Sequence, residues 1–415
     1  MATTRPEPAP EPLPERVRHL RVDLNGAPCG DLRRESQLVF SYRRDDDRQP
    51  SVGLLMPPRQ LSYRSNALFP VMDQNLPEGY LFERLRALHP KQPLTAMHLL
   101  GLIGDNGIGR LGFHLPDTPT AAAPVPMTRE QLLRLPYSAA VFDELVAAYL
   151  STGFGISGMQ PKLMLPDRAT IPVPNLIVKA GSEAYPGLAA NEFLCLQAAT
   201  RAGIAVPAHD LSDDGQLLVL ERFDLQPDGR RLGFEDVAAL MGLSVRDTLS
   251  DRKYQGSYET IVQVFKALAL PAVDLARFFE QVAFTVMVRN GDGHLKNFGV
   301  GYDEAWGARL APMFDVVTTA IYRYQRWAGA EGVEDRTLAL RLFAGRGQSR
   351  AYPATEELLR FGRQVCGVTQ PAPVLVRIAE ALHDTLAAAR QDARIPAPLL
   401  ADMAEMWQRG MDYAR

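Results

Sequence analysis

The segment from residue 289 to residue 299 constrains this chain more than any other part of its sequence. It reads Arg-Asn-Gly-Asp-Gly-His-Leu-Lys-Asn-Phe-Gly and follows an apolar, helix-like run. Within it, Asp292 precedes Asn297 by five positions. This spacing is typical of a loop for phosphoryl transfer, in which the aspartate takes the proton of the attacking hydroxyl and the asparagine amide holds Mg²⁺. A third acidic group should then follow on a strand and hold metal at the nucleotide phosphates. Asp315 fits, because the eighteen positions after Asn297 leave room for a short β-hairpin.

The bulk composition sets wider limits on the chain. With 415 residues, 46% of them apolar, it can bury two or three cores and form two or three domains. A net charge of −3 argues against a general binder of polyanions. The three scattered cysteines form neither a disulfide framework nor a CxxC metal site, which suits the reducing cytosol. The N-terminus lacks the apolar core of a signal peptide, and the most apolar stretch, 268–288, carries three charged residues, so we expect a soluble cytoplasmic protein outside the membrane.

The chain divides into five parts by composition and periodicity. Residues 1–15 read as a disordered tail rich in Pro and Glu, and a Pro/Ala-rich stretch at 116–127 reads as a linker. Between them, residues 16–115 read as a small α+β module, for which we predict strands at 38–42 and 53–56 and helices at 79–88 and 93–102. Residues 128–224 are predicted to hold a helix at 142–150, extended segments up to Lys179, a helix opened by Asn191 and a strand at 216–223. From 225 to 415 the pattern is mostly helical, except near Asp292 and Asp315.

A glycine-rich motif lies at residues 153–158, which read Gly-Phe-Gly-Ile-Ser-Gly and match GxGxxG. A helix-like run precedes it, whereas a dinucleotide-binding site requires a strand there. A hairpin that covers phosphates with its backbone N–H groups is therefore the better interpretation, and a plain glycine-rich turn is the alternative. Lys162, just beyond the motif, is a second candidate phosphate contact.

Two apolar strands farther along carry candidate nucleotide contacts. Lys179 ends the strand 175–179, where it can neutralise phosphate charge or simply be solvated. Glu192 can either orient that lysine or favour a helix N-terminus electrostatically. The strand 217–223 runs into a short connector, and residues 221–223 are our candidate for a hinge whose backbone meets adenine. An ordinary core strand followed by a capping Asp224 is the alternative.

The segment that opened this section contains two further titratable side chains. His294 has no second His or Cys at a metal-ligand spacing, so we expect it to hold the loop rather than a metal ion. Lys296 either contacts the γ-phosphate during transfer or is a solvated loop lysine. An arrangement of Asp292, His294 and Asp315 as a metal-dependent hydrolase site is the weakest alternative, because it leaves the asparagine and the glycine-rich loop without a role.

Taken together, these runs resemble the HipA family of serine/threonine kinases, the toxins of bacterial type II toxin–antitoxin pairs. In the first module, residues 69–85 look like the family's N-terminal signature and 104–109 like the turn that follows it. The matching runs in the remainder are 156–162, 191–192, 221–224, 235–236, 291–297 and 312–315. Several independent runs occur in the correct order and cover nearly the whole chain, which makes the resemblance specific.

The resemblance implies an α+β fold with two lobes, distantly like protein and lipid kinases, in which a small N-terminal α+β module accompanies a mostly helical C-lobe. It also implies bound ATP and Mg²⁺, with Asp292 as the general base and Asn297 and Asp315 as metal ligands. The residues at the nucleotide would be Ser157, Gly158, Met159, Gln160, Lys162, Lys179, Glu221, Arg222, Phe223, His294, Lys296, Asn297, Phe314 and Asp315. Members pair with a helix-turn-helix antitoxin that binds operator DNA, and they commonly phosphorylate an aminoacyl-tRNA synthetase. The resemblance implies both properties here, with DNA reached mainly through the antitoxin.

One position departs from the family's pattern. The family loop typically reads Ser-x-Ser-Gly or Ser-x-Ala-Gly, and its serines can be phosphorylated by the enzyme itself. Here Gly155 stands at the first position and only Ser157 remains. We expect any autophosphorylation to fall on Ser157, with altered self-inhibition; the alternative is a serine that merely hydrogen-bonds a loop amide. The alternative to an active kinase is a catalytically idle, nucleotide-binding co-repressor that acts with the antitoxin.

Overall fold

The computed structural model describes residues 14–43, 49–92, 94–116, 126–151, 160–168, 173–181, 185–243, 250–324, 332–334 and 336–415. Within these ranges, helices are combined with four β-sheets, so the prediction of a mixed α+β fold is confirmed. Most of the predicted tail and linker lies outside the described residues. The same holds for the glycine-rich loop, including Ser157, Gly158 and Met159.

The N-terminal module is built on one antiparallel sheet. Its strands are β1 (His19–Leu24), β2 (Ala27–Arg34), β3 (Leu38–Tyr42), β4 (Ser62–Ser65) and β5 (Leu111–His114); the helices between β4 and β5 are α1 (Pro70–Asp73), α2 (Gly79–Leu88) and α3 (Ala96–Ile103). The sheet order is β4-β3-β2-β1-β5. The strand predicted at 53–56 is wrong, because this short apolar run forms a turn in which the N–H of Met56 donates to the carbonyl of Gly53 at 3.0 Å.

A second antiparallel sheet follows, with the order β6-β7-β9-β8. Its strands are β6 (Lys162–Leu165), β7 (Leu176–Ala180), β8 (His209–Leu211) and β9 (Leu217–Glu221), accompanied by α4 (Arg129–Arg134), α5 (Ala139–Ser151) and α6 (Leu188–Arg201). Successive side chains of a strand point to opposite faces. In β9, Leu217 and Val219 therefore join the core shared with the N-terminal module and α5, whereas Leu218 and Leu220 join the core that contains α6. This sheet lies between the two cores.

The remainder is dominated by helices around the long, largely buried helix α9. Its elements are β10 (Gly233–Asp236), α7 (Val237–Leu240), α8 (Tyr258–Ala267), α9 (Ala272–Met287), β11 (Gly299–Asp303), β12 (Gly307–Leu310), β13 (Arg323–Tyr324), β14 (Val333–Glu334), α10 (Thr355–Arg360), α11 (Ala372–Ala389) and α12 (Ala397–Met411). β10, β11 and β12 form a three-stranded sheet. The predicted β-hairpin between Asn297 and Asp315 is β11–β12.

Several predicted boundaries differ from the observed ones. The helix expected to open at Asn191 begins at Leu188. Within the apolar stretch 268–288, the chain first turns after α8, and α9 begins only after Pro271. Asp315 does not lie on a strand but in a turn after β12, with a left-handed φ of 51°. None of the described helices is both long and apolar enough to span a membrane.

Candidate active site

The loop that follows α9 is closed by its own side chains. Arg289 adopts a left-handed backbone with a φ of 58°, which turns the chain away from the helix. The buried side chain of Asn290 accepts a hydrogen bond from the N–H of Asp292 at 3.0 Å. Farther on, the N–H of His294 donates to Oδ1 of Asn297 at 3.0 Å, and the N–H of Asn297 donates to the His294 carbonyl at 2.9 Å. The five-residue spacing in the sequence therefore corresponds to one hydrogen-bonded loop.

Asp292 is the exposed acidic residue of this loop. The hydroxyl of Tyr254 donates to its Oδ1 at 2.7 Å, and the hydroxyl of Tyr258 donates to the carbonyl of Gly293 at 3.0 Å. A Cβ at Gly293 would lie 2.9 Å from Cγ2 of Thr285, which is closer than packed carbon atoms approach, so the loop needs glycine here. The loop thus presents a carboxylate to solvent from a tightly packed base.

His294 is buried beside that carboxylate. Its ring packs edge-on against Tyr254 with 5.2 Å between the centroids. Burial, together with Lys253 and Lys296, lowers the pKa of His294 to about 3, so the ring is neutral near pH 7. That His294 holds the loop stays a prediction. In the ranges the structure describes, no three His, Cys, Asp or Glu side chains are grouped to hold a metal ion, so the hydrolase arrangement gains no support.

Lys179 links the second sheet to Asp315. Its Nζ donates to Oε1 of Glu192 at 2.6 Å and also contacts Oδ1 of Asp315. Lys162, paired opposite Lys179 in the β6–β7 register, places its Nζ 3.7 Å from Oδ2 of Asp315. The solvated alternative for Lys179 is wrong, because β7 directs this side chain to the face covered by α6. Glu192 lies beyond the first turn of that helix, and its carboxylate pairs with the lysine.

The charges in this pocket leave one carboxylate ionised and accessible. Burial would raise the pKa of Asp315, but Lys162 and Lys179 outweigh it and hold that pKa well below its usual range. Burial lowers the pKa of Lys162; for Lys179 the two neighbouring carboxylates outweigh burial and raise the pKa. The side chain of Asp315 is 34% exposed, against 3% for Lys179 and 1% for Glu192. An accessible carboxylate with two buried cations behind it fits a magnesium ion held at phosphate groups.

The predicted hinge residues have separate environments. Glu221 has an exposed side chain that pairs with Arg129, and its N–H donates to Ala208 at 2.8 Å. The buried guanidinium of Arg222 pairs with Asp224 at 2.7 Å and donates to the carbonyl of Gly107 in the N-terminal module at 2.8 Å. Both side chains therefore contact other parts of the protein. The N–H groups of Glu221 and Arg222 already donate to the carbonyls of Ala208 and Asn175, and the adenine contact expected of the two residues stays a prediction.

Phe223, the third predicted hinge residue, belongs to a cluster of aromatic rings. Its ring stacks on Phe314 with 5.6 Å between centroids and an interplanar angle of 27°. Phe234 packs edge-on against both rings. Phe314 directly precedes Asp315, so the aromatic group and the charged pocket are adjacent. An apolar surface beside this charged pocket suits a planar ring.

Two more candidates have partners that the sequence did not indicate. Gln160 donates from Nε2 to the carbonyl of Ala180 at 3.1 Å, at the end of β7. Lys296 is not a solvated loop lysine: it is largely buried, and its Nζ lies 2.5 Å from Oε1 of Glu78 in the N-terminal module. The three candidates at 157–159 lie outside the described residues.

Sequence reasoning missed Tyr254 and Glu78. Tyr254 precedes Asp292 by 38 positions and belongs to no motif, so no sequence signal pointed to it. Glu78 lies within the signature run 69–85, which was a signal that it matters but gave no indication of its partner. Both reach the loop of Asp292 and Asn297 through contacts that only the folded chain creates.

Family models match two stretches of the chain. The HipA N-terminal domain matches residues 20–114, and the HipA-like C-terminal domain matches residues 154–391. Similar proteins include "Putative kinase Y4dM" of Sinorhizobium fredii, 27% identical over 334 residues, and "Putative kinase Y4mE" of the same organism, 25% identical over 332 residues; each alignment covers 74% of this chain and 78% of the relative.

Among solved structures, the fold is similar to HipA of Shewanella oneidensis, determined in complex with HipB and operator DNA. The TM-score is 0.67 at 18% sequence identity, with 95% of this chain and 96% of the other covered. At this identity the likeness concerns the fold, which extends over both the N-terminal module and the remainder of the chain.

Proposed function

The chain belongs to the HipA family, and from this premise we propose that it is an ATP- and Mg²⁺-dependent protein kinase acting on serine or threonine. The observation that carries the proposal is the pocket in which Lys179, held by Glu192, reaches Asp315. The charge of Asp315 acts on the pKa of His294, which lies in the hydrogen-bonded loop of Asp292 and Asn297, so the pocket and the loop are near one another. Phosphate binding and proton removal are thus served by neighbouring groups.

The pocket supplies the nucleotide end of the reaction. Lys179 and Lys162 are buried cations suited to neutralise phosphate oxygens, and Phe223 and Phe314 offer an apolar surface for the base. Asp315 and Asn297 would hold Mg²⁺. When bound, the ion screens the charge on the phosphates. Catalysis here rests on positioning and on charge neutralisation rather than on a covalent enzyme intermediate.

Asp292 supplies the acceptor end. As the hydroxyl oxygen of the acceptor forms its bond to the γ-phosphorus, the bond from that phosphorus to the β-phosphate oxygen breaks, and the hydroxyl proton passes to the Asp292 carboxylate. The exposure of this carboxylate allows a protein side chain to reach it. The hydrogen bonds from Tyr254 and from within the loop fix its position before the acceptor arrives.

We extend the proposal to the partners of the family. The chain would be the toxin of a bacterial type II pair, with a helix-turn-helix antitoxin that reaches operator DNA, as the HipA of Shewanella oneidensis is found with HipB and operator DNA. Its substrate would be a cytoplasmic translation component, an aminoacyl-tRNA synthetase. The near-balanced net charge of −3 supports indirect rather than direct contact with DNA.

The test is incubation of the purified protein with γ-labelled ATP and Mg²⁺, with and without a bacterial lysate, beside Asp292→Asn. Asp384→Asn, which changes an exposed aspartate on α11, is the matched control. We expect label in a lysate protein with wild type and with the control, and none with Asp292→Asn. Peptide mass spectrometry should place any self-phosphorylation on Ser157. ATP binding without label in every sample would instead favour the idle co-repressor.

A further inference from the structure

Glu78 of the N-terminal module contacts the loop between α9 and β11, which holds Asp292 and Asn297 and is called the catalytic loop below. Its Oε1 lies 2.5 Å from Nζ of Lys296, although 218 positions separate the two residues. The side chains are 16% and 12% exposed, so water screens this ion pair little. Glu78 is the N-cap residue of α2. Gly79 follows with a left-handed φ of 52°, a conformation that glycine adopts readily, and α2 begins at this residue.

The segment that carries Glu78 is bonded to the strand next to the loop. The side chain of Gln74 donates from Nε2 to the carbonyl of Phe234 at 2.7 Å and accepts from the N–H of Asp236 at 3.0 Å. The N–H of Leu54 donates to Oε1 of Glu235 at 2.6 Å. Through these hydrogen bonds, the module contacts β10 at two places, Leu54 and Gln74. The module therefore cannot shift relative to β10 without breaking buried hydrogen bonds.

β10 in turn leads to the residue that ends the catalytic loop. Asp236 caps α7 through its bond from the N–H of Ala239 at 2.7 Å, and the N–H of Val237 donates to the carbonyl of Phe298 at 2.9 Å. Phe298 follows Asn297 directly. The loop is thus held at Lys296 by a side chain of the module and at Phe298 by the strand to which the module is bonded.

The charges around Lys296 favour this arrangement. Burial would lower its pKa, but Glu78 and Asp236 outweigh burial and raise it, so the lysine stays charged. Burial raises the pKa of Asp236 to about 6, and Lys296 opposes that rise. A charged lysine held between acidic groups of the module and of β10 has one preferred position, which it imposes on the loop between Asp292 and Asn297.

We infer that Glu78 is a positioning residue for phosphoryl transfer: through Lys296 it holds the catalytic loop so that Asp292 and Asn297 meet the acceptor and the nucleotide. This inference rests on the proposed function. It makes the N-terminal module a part of the catalytic machinery, because the module supplies a buried charge to the loop and does not merely accompany the kinase lobes.

The experiment compares Glu78→Gln with Glu304→Gln. The control removes a different ion pair between the module and the remainder, that of Glu304 with Arg110 at 2.7 Å, in the turn that joins β11 and β12. Phosphoryl transfer to a lysate or peptide acceptor gives kcat and the KM for ATP, and thermal unfolding reports folding. We expect Glu78→Gln to lower kcat roughly ten- to a hundredfold, as small misplacements of catalytic groups do, while the KM for ATP stays near that of the control. Because the buried Lys296 loses its charged partner, Glu78→Gln should also melt below the control, so kcat is compared at a temperature at which both variants are folded.

Two further variants separate positioning from simple stabilisation. Lys296→Met should lower kcat to a similar extent. The double variant Glu78→Gln/Lys296→Met should have a kcat no lower than that of the less active single variant, because the two residues act as a unit. Glu78→Asp, which keeps the charge, should retain more activity than Glu78→Gln. An unchanged kcat in Glu78→Gln, or losses that multiply in the double variant, would overturn the inference while leaving the kinase intact. A wild type that transfers no label under any condition overturns the proposed function and this inference with it.

Discussion

Removing the buried cation Lys179 tests whether the pocket around it is both structural and catalytic. Its ammonium lies 2.6 Å from Glu192, and both side chains are almost completely buried. In Lys179→Met, a side chain of similar length remains, but Glu192 loses its partner in a place where burial already raises the pKa of that carboxyl. We expect the free energy of unfolding to fall by about 3–5 kcal/mol, the range for removing one partner of a buried pair.

The double variant Lys179→Met/Glu192→Leu isolates the electrostatic part of that loss. Replacing both charges by apolar groups of similar volume is often neutral or stabilising. We therefore expect the double variant to recover at least about 2 kcal/mol relative to the single one. Phosphoryl transfer should be absent from both variants, since neither offers the lysine to the nucleotide phosphates. Stability and activity are thereby separated at one position.

Thermal unfolding and the labelling assay together provide the measurement. The region matched by the C-terminal family model, residues 154–391, is of a size for which 1 kcal/mol shifts the melting temperature by about 2–4 °C. Lys179→Met should therefore melt roughly 6–20 °C below wild type. A melting temperature within about 2 °C of wild type, or a double variant no more stable than the single one, would refute the buried-pair reasoning. Full transfer activity in Lys179→Met would refute the role given to the lysine.

Two further predictions concern stability at other positions. Burial raises the pKa of Glu235 from 4.5 to about 7, so between these values the unfolded chain releases a proton that the folded chain keeps, and stability falls as the pH rises through that window. Glu235→Gln should remove on the order of 3 kcal/mol of this pH dependence, measured as melting temperature against pH; an unchanged slope would contradict it. A Cβ at Gly410 would lie 1.9 Å from the carbonyl oxygen of Met287 at the end of α9, so Gly410→Ala should cost about 3 kcal/mol and also reduce transfer, because α9 leads into the catalytic loop. A Gly410→Ala variant that melts at the wild-type temperature would show that α12 and α9 are not in close contact at Gly410.

Local spacing allowed the loop of Asp292 and Asn297 to be recognised from the sequence. Asp292 and Asn297 lie in one loop closed by bonds between residues two to three positions apart, such as that of His294 with Asn297. The strand at 38–42 and the helix at 79–88 were likewise predicted with their observed bounds, because each depends on its own periodicity. The short apolar run 53–56 has too few residues to distinguish a strand from a turn, and there the prediction was wrong.

The order of residues along the chain specifies which chemical groups it carries: an acid, an amide and a second acid after a helix, preceded by lysines on strands. What each group faces depends on how the folded chain packs. Lys179 is buried because β7 pairs in a register that turns it towards α6 and Glu192, and a one-residue slip would have reversed its face. Glu78 meets Lys296 across 218 positions because the N-terminal module is hydrogen-bonded to β10, which lies beside the loop of Lys296. A contact between residues so far apart in the sequence depends on tertiary packing, which no local pattern of residues specifies.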